Sequence, residues 1–399
     1  MNNAALPATP LLSPQVVWLL CAMSMLPAFS TDIMLPATVL IAEEFEVPGQ
    51  LGGLLIGGFL LGYGLGQVFW GVASDAFGRR PVILASLGAM TFAAAGCIVA
   101  PNFWVLLALR FVHGLCAGAP VVGRAMTRDL GTGPQMVQLL ALLMAMISIG
   151  PLLAPVIGSA LIVFFDWRAN FIVLTVIGIV CFVSAVRILP ETLKARRPER
   201  LSLSFVLRAG RTLLSARDYI IGGGVSVLTF AGYGSVLALG PAVMGVVYGV
   251  TPQVFGLLFF LAAASNGLGS LLVRWAGARV PIDRIMTVGI AALAATVLLE
   301  GAFLFFVPPL WAFWLSVCLY MISLGIVMPS GMAIALRPAG GMPGFAASFL
   351  GMLIMVGAFV GGALATVIYD GSHVAISLVA GILGGLAVIL YALGRTGSR

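Results

Sequence analysis

Few side chains in this 399-residue sequence are both of a kind and in a setting to do chemistry. Asp32, in "PAFSTDIMLPATVL", is the only charged residue between Val16 and Ala42. A carboxylate at the centre of an apolar helix costs about 3 kcal/mol on insertion scales, so the position calls for a use. Arg110, in "ALRFVHGLCAGAP", interrupts a second apolar run, with His113 one turn further on, and Glu300 lies near the end of a third. A lone acid in such a place can take up a proton and give it back. Burial favours the neutral form of any carboxyl and a nearby cation favours the charged form. Each pKa unit of difference between two protein states is worth about 1.36 kcal/mol, so a few units would couple a proton gradient to movement. Asp32 is the candidate proton carrier, and Arg110 is its candidate partner.

Other chemistries find no residues. His113 and His373 are the only histidines, which leaves a membrane-embedded acyltransferase without a catalytic set, so no catalytic residues are expected. The cysteines, Cys21, Cys97, Cys116, Cys181 and Cys318, sit inside apolar runs with no metal-ligand spacing and read as small packing residues. No metal or cofactor is expected. There is no G-x-x-x-x-G-K-[ST] loop, so ATP is not the expected energy source.

The elements that hold these residues follow from composition. With 61% hydrophobic and 8% charged residues, the chain departs from soluble domains, which are about half apolar and a quarter charged. A membrane span needs about 20 apolar residues. Charged and Pro/Gly-rich breaks delimit twelve: 14–41, 50–73, 81–100, 103–126, 134–164, 168–188, 218–242, 252–275, 283–306, 309–335, 343–369 and 373–394, numbered spans 1 to 12. The expected fold is all-α, an integral membrane bundle of twelve helices in two six-helix halves. The halves are 1–189 and 218–399, joined by the polar linker 190–217. The N-terminus "MNNAALPATPLLSPQ" has no basic stretch before its apolar run, so span 1 is expected to be retained rather than cleaved.

Every lysine and arginine except Arg110 and Arg168 falls on one side if both termini are cytoplasmic, Arg399 included, and the first outer loop, "EEFEV", is acidic. The positive-inside rule then places both termini and the linker in the cytoplasm. The net charge of +7 reports this topology and not nucleic-acid binding. Counted from the outer ends of their spans, Asp32 and Arg110 both lie roughly 10–14 Å deep, which allows a pair or a shared cavity. In the linker, Leu203, Val206, Ala209, Gly210 and Leu213 follow helical spacing opposite Arg208 and Arg211. That pattern suits a helix lying on the anionic leaflet and equally a plain basic linker. Glu300 is close enough to its span end to snorkel. Tyr233, Asn266, Tyr320 and Met321 are candidates for the wall of a substrate cavity in the second half. Gly58, Gly62 and Gly66 in span 2 and Gly357 and Gly361 in span 11 form small-residue ridges, expected to let the halves rock on one another.

Four motifs carry a resemblance. "GVASDAFGRRPVIL", between spans 2 and 3, resembles the loop signature G-x-x-x-D-x-x-G-R-[RK] of the major facilitator superfamily at Gly71, Asp75, Gly78, Arg79 and Arg80. Gly71 permits close approach, Gly78 a turn with positive φ, and Asp75 can face a helix N-terminus or an arginine of its own loop. Arg79 and Arg80 are expected at the headgroups. The counterpart between spans 8 and 9, "RWAGARVPIDRI", keeps little beyond Gly277. Arg110 and Gly114 match the R-x-x-x-G element of span 4, with His113 where Gln is commoner. "GPLLAPVIG" in span 5 resembles the antiporter signature of drug exporters at Gly150, Pro151, Ala154, Pro155 and Gly158, a bent helix with one smooth face. "TDIMLPA" resembles the D-I-Y-L-P-A element of the bicyclomycin and chloramphenicol resistance (Bcr/CflA) branch, with Met34 in place of the tyrosine; "FFDWRANF" and "LPET" fit the same branch.

The resemblance implies proton-coupled export of small amphipathic compounds, of the multidrug or phenicol kind, by alternating access. It also leaves open an exporter of a metabolite or siderophore and an uptake symporter of the same fold. Asp32 and Arg110 would couple the proton. Asp32, Met34, Arg110, His113, Tyr233, Asn266 and Tyr320 would meet substrate, and Gly71, Asp75, Gly78, Arg79 and Arg80 would gate. The partners implied are a small-molecule substrate, protons and membrane lipid, with no nucleic acid, for a monomer in the bacterial inner membrane.

Overall fold

The computed structural model describes residues 13–130 and 134–396; the segment 1–12 and Arg399 lie outside them. Spans 1–4 run Pro14–Glu44, Gly49–Phe77, Arg79–Ile98 and Phe103–Asp129, and span 6 is Arg168–Ile188. Spans 7–12 are Tyr219–Tyr248, Pro252–Ala276, Ile282–Phe303, Leu310–Ala339, Pro343–Ile368 and Val374–Arg395. Span 5 is the helix Pro134–Phe164. The apolar runs located these helices to within a few residues, apart from span 7, which carries on to Tyr248 instead of 242. Asn102 opens span 4 by accepting the Val105 N–H at 2.9 Å, and Thr251 with Pro252 opens span 8.

The chain is an all-α integral membrane bundle of two six-helix halves, and the packing repeats between them. Span 1 packs on span 5 as span 7 does on span 11; span 2 on span 4 as span 8 on span 10; span 3 on span 6 as span 9 on span 12. Spans 2 and 11, and 5 and 8, meet across the halves. Exposed side chains such as Phe92, Leu298 and Val367 belong to the lipid-facing surface. The bundle has two ends, here the linker face and the far face.

The glycine ridges work differently from the sequence expectation. Gly62 and Gly66 press against the backbone of span 4 at Phe111 and Leu115, and Gly361 against span 7 at Ala231. These contacts lie within a half. The face of span 2 that meets span 11 carries Gly57, Gly64 and Gly71, set against Phe359, Met355 and Ser348. The two sets lie on opposite sides of one helix, roughly 180° apart at 3.6 residues per turn, and only packing chooses between them.

The linker contains a helix, Leu203–Ser215, capped by Ser202. Its Ala209, Gly210 and Leu213 are buried against Tyr219 of span 7 and Phe345 and other residues of span 11. That face is therefore covered by protein and not by a lipid leaflet.

Candidate functional site

Span 1 is broken at Asp32. The first helix ends there, a single tight turn covers Leu35–Ala37, and a short helix resumes at Thr38. Pro36 causes the break: it has no N–H to donate to Asp32, and it disfavours helical backbone at Leu35. The freed polar groups are partly repaired by side chains. Asn170 of span 6 donates its amide to the Ile33 carbonyl at 3.1 Å, and Thr38 donates to the Leu35 carbonyl at 2.9 Å.

The break sits where the halves meet. Its turn touches span 5 of its own half and spans 7 and 8 of the other. Met34 and Leu35 are fully buried in an apolar cluster that includes Tyr233, Leu237, Phe255 and Phe259 of the second half. Asp32 is 6% exposed and, among the described residues, has no ion-pair partner. Tyr233 lies near enough for its charge to act on the ring hydroxyl.

The smooth face of span 5 closes on this break. Gly150 lies against Ala28 and Phe29, Ala154 is fully buried, and Gly158 rests on the Ile33 carbonyl itself. Span 5 turns another side to span 8, where Ser159 donates to the Pro252 carbonyl at 3.1 Å. Pro151 and Pro155 lie within the same helix.

Arg110 does not join Asp32. It is fully buried inside the first half, donating to the Leu55 carbonyl at 3.2 Å and paired with His113 Nδ1 at 3.2 Å. Its guanidinium stands 4.6 Å from the centre of the Phe59 ring and 5.8 Å from that of Phe171. Its second terminal nitrogen has no partner. Equal depth fixed the height of the two residues; the rotation of span 4 about its axis points Arg110 towards spans 2 and 6. His113 is thus a hydrogen-bonded packing residue, wedged edge-on to Phe59.

The second-half candidates are also apart. Tyr320 donates to the Thr229 carbonyl at 2.8 Å, and Asn266 to the Met321 carbonyl at 3.3 Å, each tying two spans of that half together. Tyr233 shares the apolar cluster of the span 1 break and lies near Asp32. Glu300 does not snorkel: it is 3% exposed and bonded to Ser316 at 2.6 Å.

On the linker face the loop motif builds one network. Gly78 adopts φ 111°, open to glycine. Arg79 is buried, and its guanidinium reaches Asp129 at 2.8 Å, Asp75 at 2.7 Å and Ser74 at 2.7 Å. The other oxygen of Asp75 takes Arg200 of the linker at 2.6 Å. Arg80 donates to the Val186 carbonyl at 2.8 Å. Arg79 is therefore held by Asp75 and Asp129 and is not turned out to the headgroups. Gly71 faces Ser348 across the halves. A cleft of about 180 Å³ opens here between spans 2, 4 and 11 and the linker, lined by Asp75, Arg79, Arg124, Arg128, Asp129 and Arg200 among others.

Sequence reasoning missed Asp129, Arg200 and Glu191. Glu191, from "LPET", accepts the backbone N–H groups of Arg79 at 3.0 Å and Arg80 at 3.2 Å, capping span 3 from across the half. It also accepts those of Thr192 and Leu193. The available signal was scarcity: on a face crowded with arginines, each acid should be asked what it holds. The decayed loop hides a counterpart too. Asp283, opening span 9, pairs with Arg337 at the end of span 10 at 2.8 Å, which is the place of the Arg79–Asp129 pair with the signs exchanged.

Residues 17–340 match the Major Facilitator Superfamily. The chain belongs to that family. A bicyclomycin resistance protein homolog of Haemophilus influenzae is 28% identical over 362 residues, covering 87% of this chain and 88% of the relative. Multidrug resistance protein D of Escherichia coli is 28% identical over 365 residues, covering 90% of each. Among solved structures, a D-xylose–proton symporter superposes with a TM-score of 0.75 at 14% identity, over 94% of this chain and 96% of that one. The fold and family are those of multi-pass membrane transporters that carry small molecules.

Proposed function

We propose that this transporter exports small amphipathic compounds, neutral or cationic, in exchange for protons taken up and released at Asp32. The observation that carries the reading is the broken span 1. Its buried acid, Asp32, stands at the break, enclosed by both halves and backed by the glycine face of span 5. Interrupted helices at the meeting of two repeats are where transporters of this general build place their sites. Relatives named for multidrug and bicyclomycin resistance support export of drug-like substrates, and the apolar residues around Asp32 suit them.

In this reading the halves 1–189 and 218–399 rock about the break, with 190–217 as a strap, and the linker face and both termini are cytoplasmic. The protein acts as a monomer in the bacterial inner membrane, exchanging protons with a small-molecule substrate. Gly71, Asp75, Gly78, Arg79 and Arg80 hold the cytoplasmic gate.

The test begins with drug susceptibility of a pump-deficient bacterium expressing the protein or Asp32→Asn, over a panel that includes phenicols and lipophilic cations. An exported compound is then followed in proteoliposomes with a pH-sensitive dye. Asp32→Asn should insert normally, lose gradient-driven export and keep at most downhill exchange. Proton movement on adding substrate to the Asp32→Asn protein would remove Asp32 from the mechanism.

A further inference from the structure

A second buried polar cluster lies in the half opposite Asp32. Glu300 stands one turn from the end of span 9, Ser316 on span 10, Ser377 on span 12 and His373 just before it, all near the far face. Each is at most 3% exposed. Ser377 and His373 both lie beside the Glu300 carboxyl. The other titratable groups coupled to Glu300 are Tyr320 of span 10 and Tyr248 at the end of span 7. Both spend their hydroxyls elsewhere, on the Thr229 and Pro308 carbonyls.

The cluster is short of hydrogens. Ser316 has one hydroxyl hydrogen and two acceptors within reach, Glu300 Oε1 at 2.6 Å and the Phe313 carbonyl at 2.7 Å. His373 Nε2 faces the Phe303 carbonyl at 2.9 Å, so it carries the ring hydrogen and leaves Nδ1 as an acceptor in the neutral ring. Two further acceptors, Glu300 Oε2 and His373 Nδ1, have no partner, against the single additional hydrogen of Ser377 Oγ, which is itself unbonded. Buried polar groups are satisfied as a rule, and an added hydrogen on the carboxyl would mend this one. A protonated Glu300 donates to Ser316, whose hydroxyl then serves Phe313.

The place in the fold points the same way. Spans 9, 10 and 12 correspond to spans 3, 4 and 6, and Ser316 enters span 10 at nearly the depth at which Arg110 enters span 4. Each half thus buries a residue of charged type at this level, Arg110 towards spans 2 and 6 in the first and Glu300 beside spans 10 and 12 in the second.

We propose that Glu300 is a second proton-binding site of this chain, loaded from the far face and held by Ser316, Ser377 and His373. The binding stands apart from the exporter reading; only its part in transport rests on that reading.

The test is pH-difference infrared spectroscopy of the full chain in lipid nanodiscs, following carbonyl-stretch bands of protonated carboxyl groups. The expected result is a titrating band present in the wild type and in Asp32→Asn but lost in Glu300→Gln. Ser316→Ala, which keeps the acid, should retain the band at a shifted frequency, and it serves should Glu300→Gln fold poorly. A spectrum unchanged in Glu300→Gln, no band movement in Ser316→Ala, or a band that follows sodium and not pH overturns the proposal. In proteoliposomes, Glu300→Gln should shift the dependence of transport on far-face pH. Gradient-driven export surviving Asp32→Asn would remove Asp32 from the coupling, and absence of export for every compound of the panel would sink the exporter reading; either leaves the infrared result standing.

Discussion

Gly158→Ala adds one methyl where spans 1 and 5 touch. A Cβ built there falls inside the Ile33 carbonyl oxygen and stands 3.0 Å from the carbonyl carbon, where ordinary contact begins at 3.4 Å. The far partner is backbone, so no side chain can swing away. The two helices must part by about 1 Å, the kind of shift that costs about 1–3 kcal/mol when a packed core is overfilled. Asp32 is the residue just before Ile33, so the gap opens beside its carboxyl. An energy of that size moves an equilibrium by about 5- to 150-fold. We expect a lower melting temperature, loss of most gradient-driven export and a proton leak in proteoliposomes without substrate. Gly267→Ala is the control, since nothing lies within 4 Å of a Cβ there, and it should behave as wild type. The double variant Gly158→Ala/Asp32→Asn separates the causes: the leak should vanish if it runs through the Asp32 carboxyl. A Gly158→Ala protein that is tight and fully active would refute the sealing argument. A leak that persists in the double variant would refute the route.

Arg110→Lys should lose most transport and Arg110→Ala all of it, because an ammonium cannot serve Leu55, His113 and the Phe59 face together; normal export by Arg110→Ala would reduce the residue to packing. Arg200→Ala removes one of the two arginines on Asp75. For a partly exposed pair, about 0.2–1 kcal/mol, transport rate should change by at most about fivefold with substrate affinity intact, and a larger loss of affinity than of rate would count against a gating role. Glu191→Ala exposes the N-terminus of span 3 and should lower stability by about 0.5–2 kcal/mol. Burial pushes the Glu191 carboxyl up, but four backbone N–H groups outweigh it and hold the group below its ordinary 4.5. Its contribution is therefore present above pH 4.5 and lost as pH falls through the lower folded value. Melting curves of wild type and Glu191→Ala should converge over that acid range, and parallel curves would contradict the assignment.

The amino-acid sequence alone was enough to find twelve spans, the lone acid of the apolar run 14–41 and the smooth face of span 5. These are one-dimensional properties: the length of an apolar run, a single charge within it, small residues at helical spacing. It also gave the height of each buried charge. What it left open was rotation. In a soluble helix the polar face marks the outside, but here lipid and protein interior are both apolar, so periodicity says little about which side faces which neighbour. Asp32 and Arg110 share a depth and still point apart. Gly62 and Gly66 serve span 4, whereas Gly57, Gly64 and Gly71 serve span 11. Glu300, near enough to a span end to reach water, turns inward to Ser316. The pairs Arg79–Asp129 and Asp283–Arg337 occupy one structural place with opposite signs, so a search for repeated letters passes over them. Azimuth and long-range pairing come from the packing of backbones at glycine contacts, and that packing is settled only when all the helices are assembled.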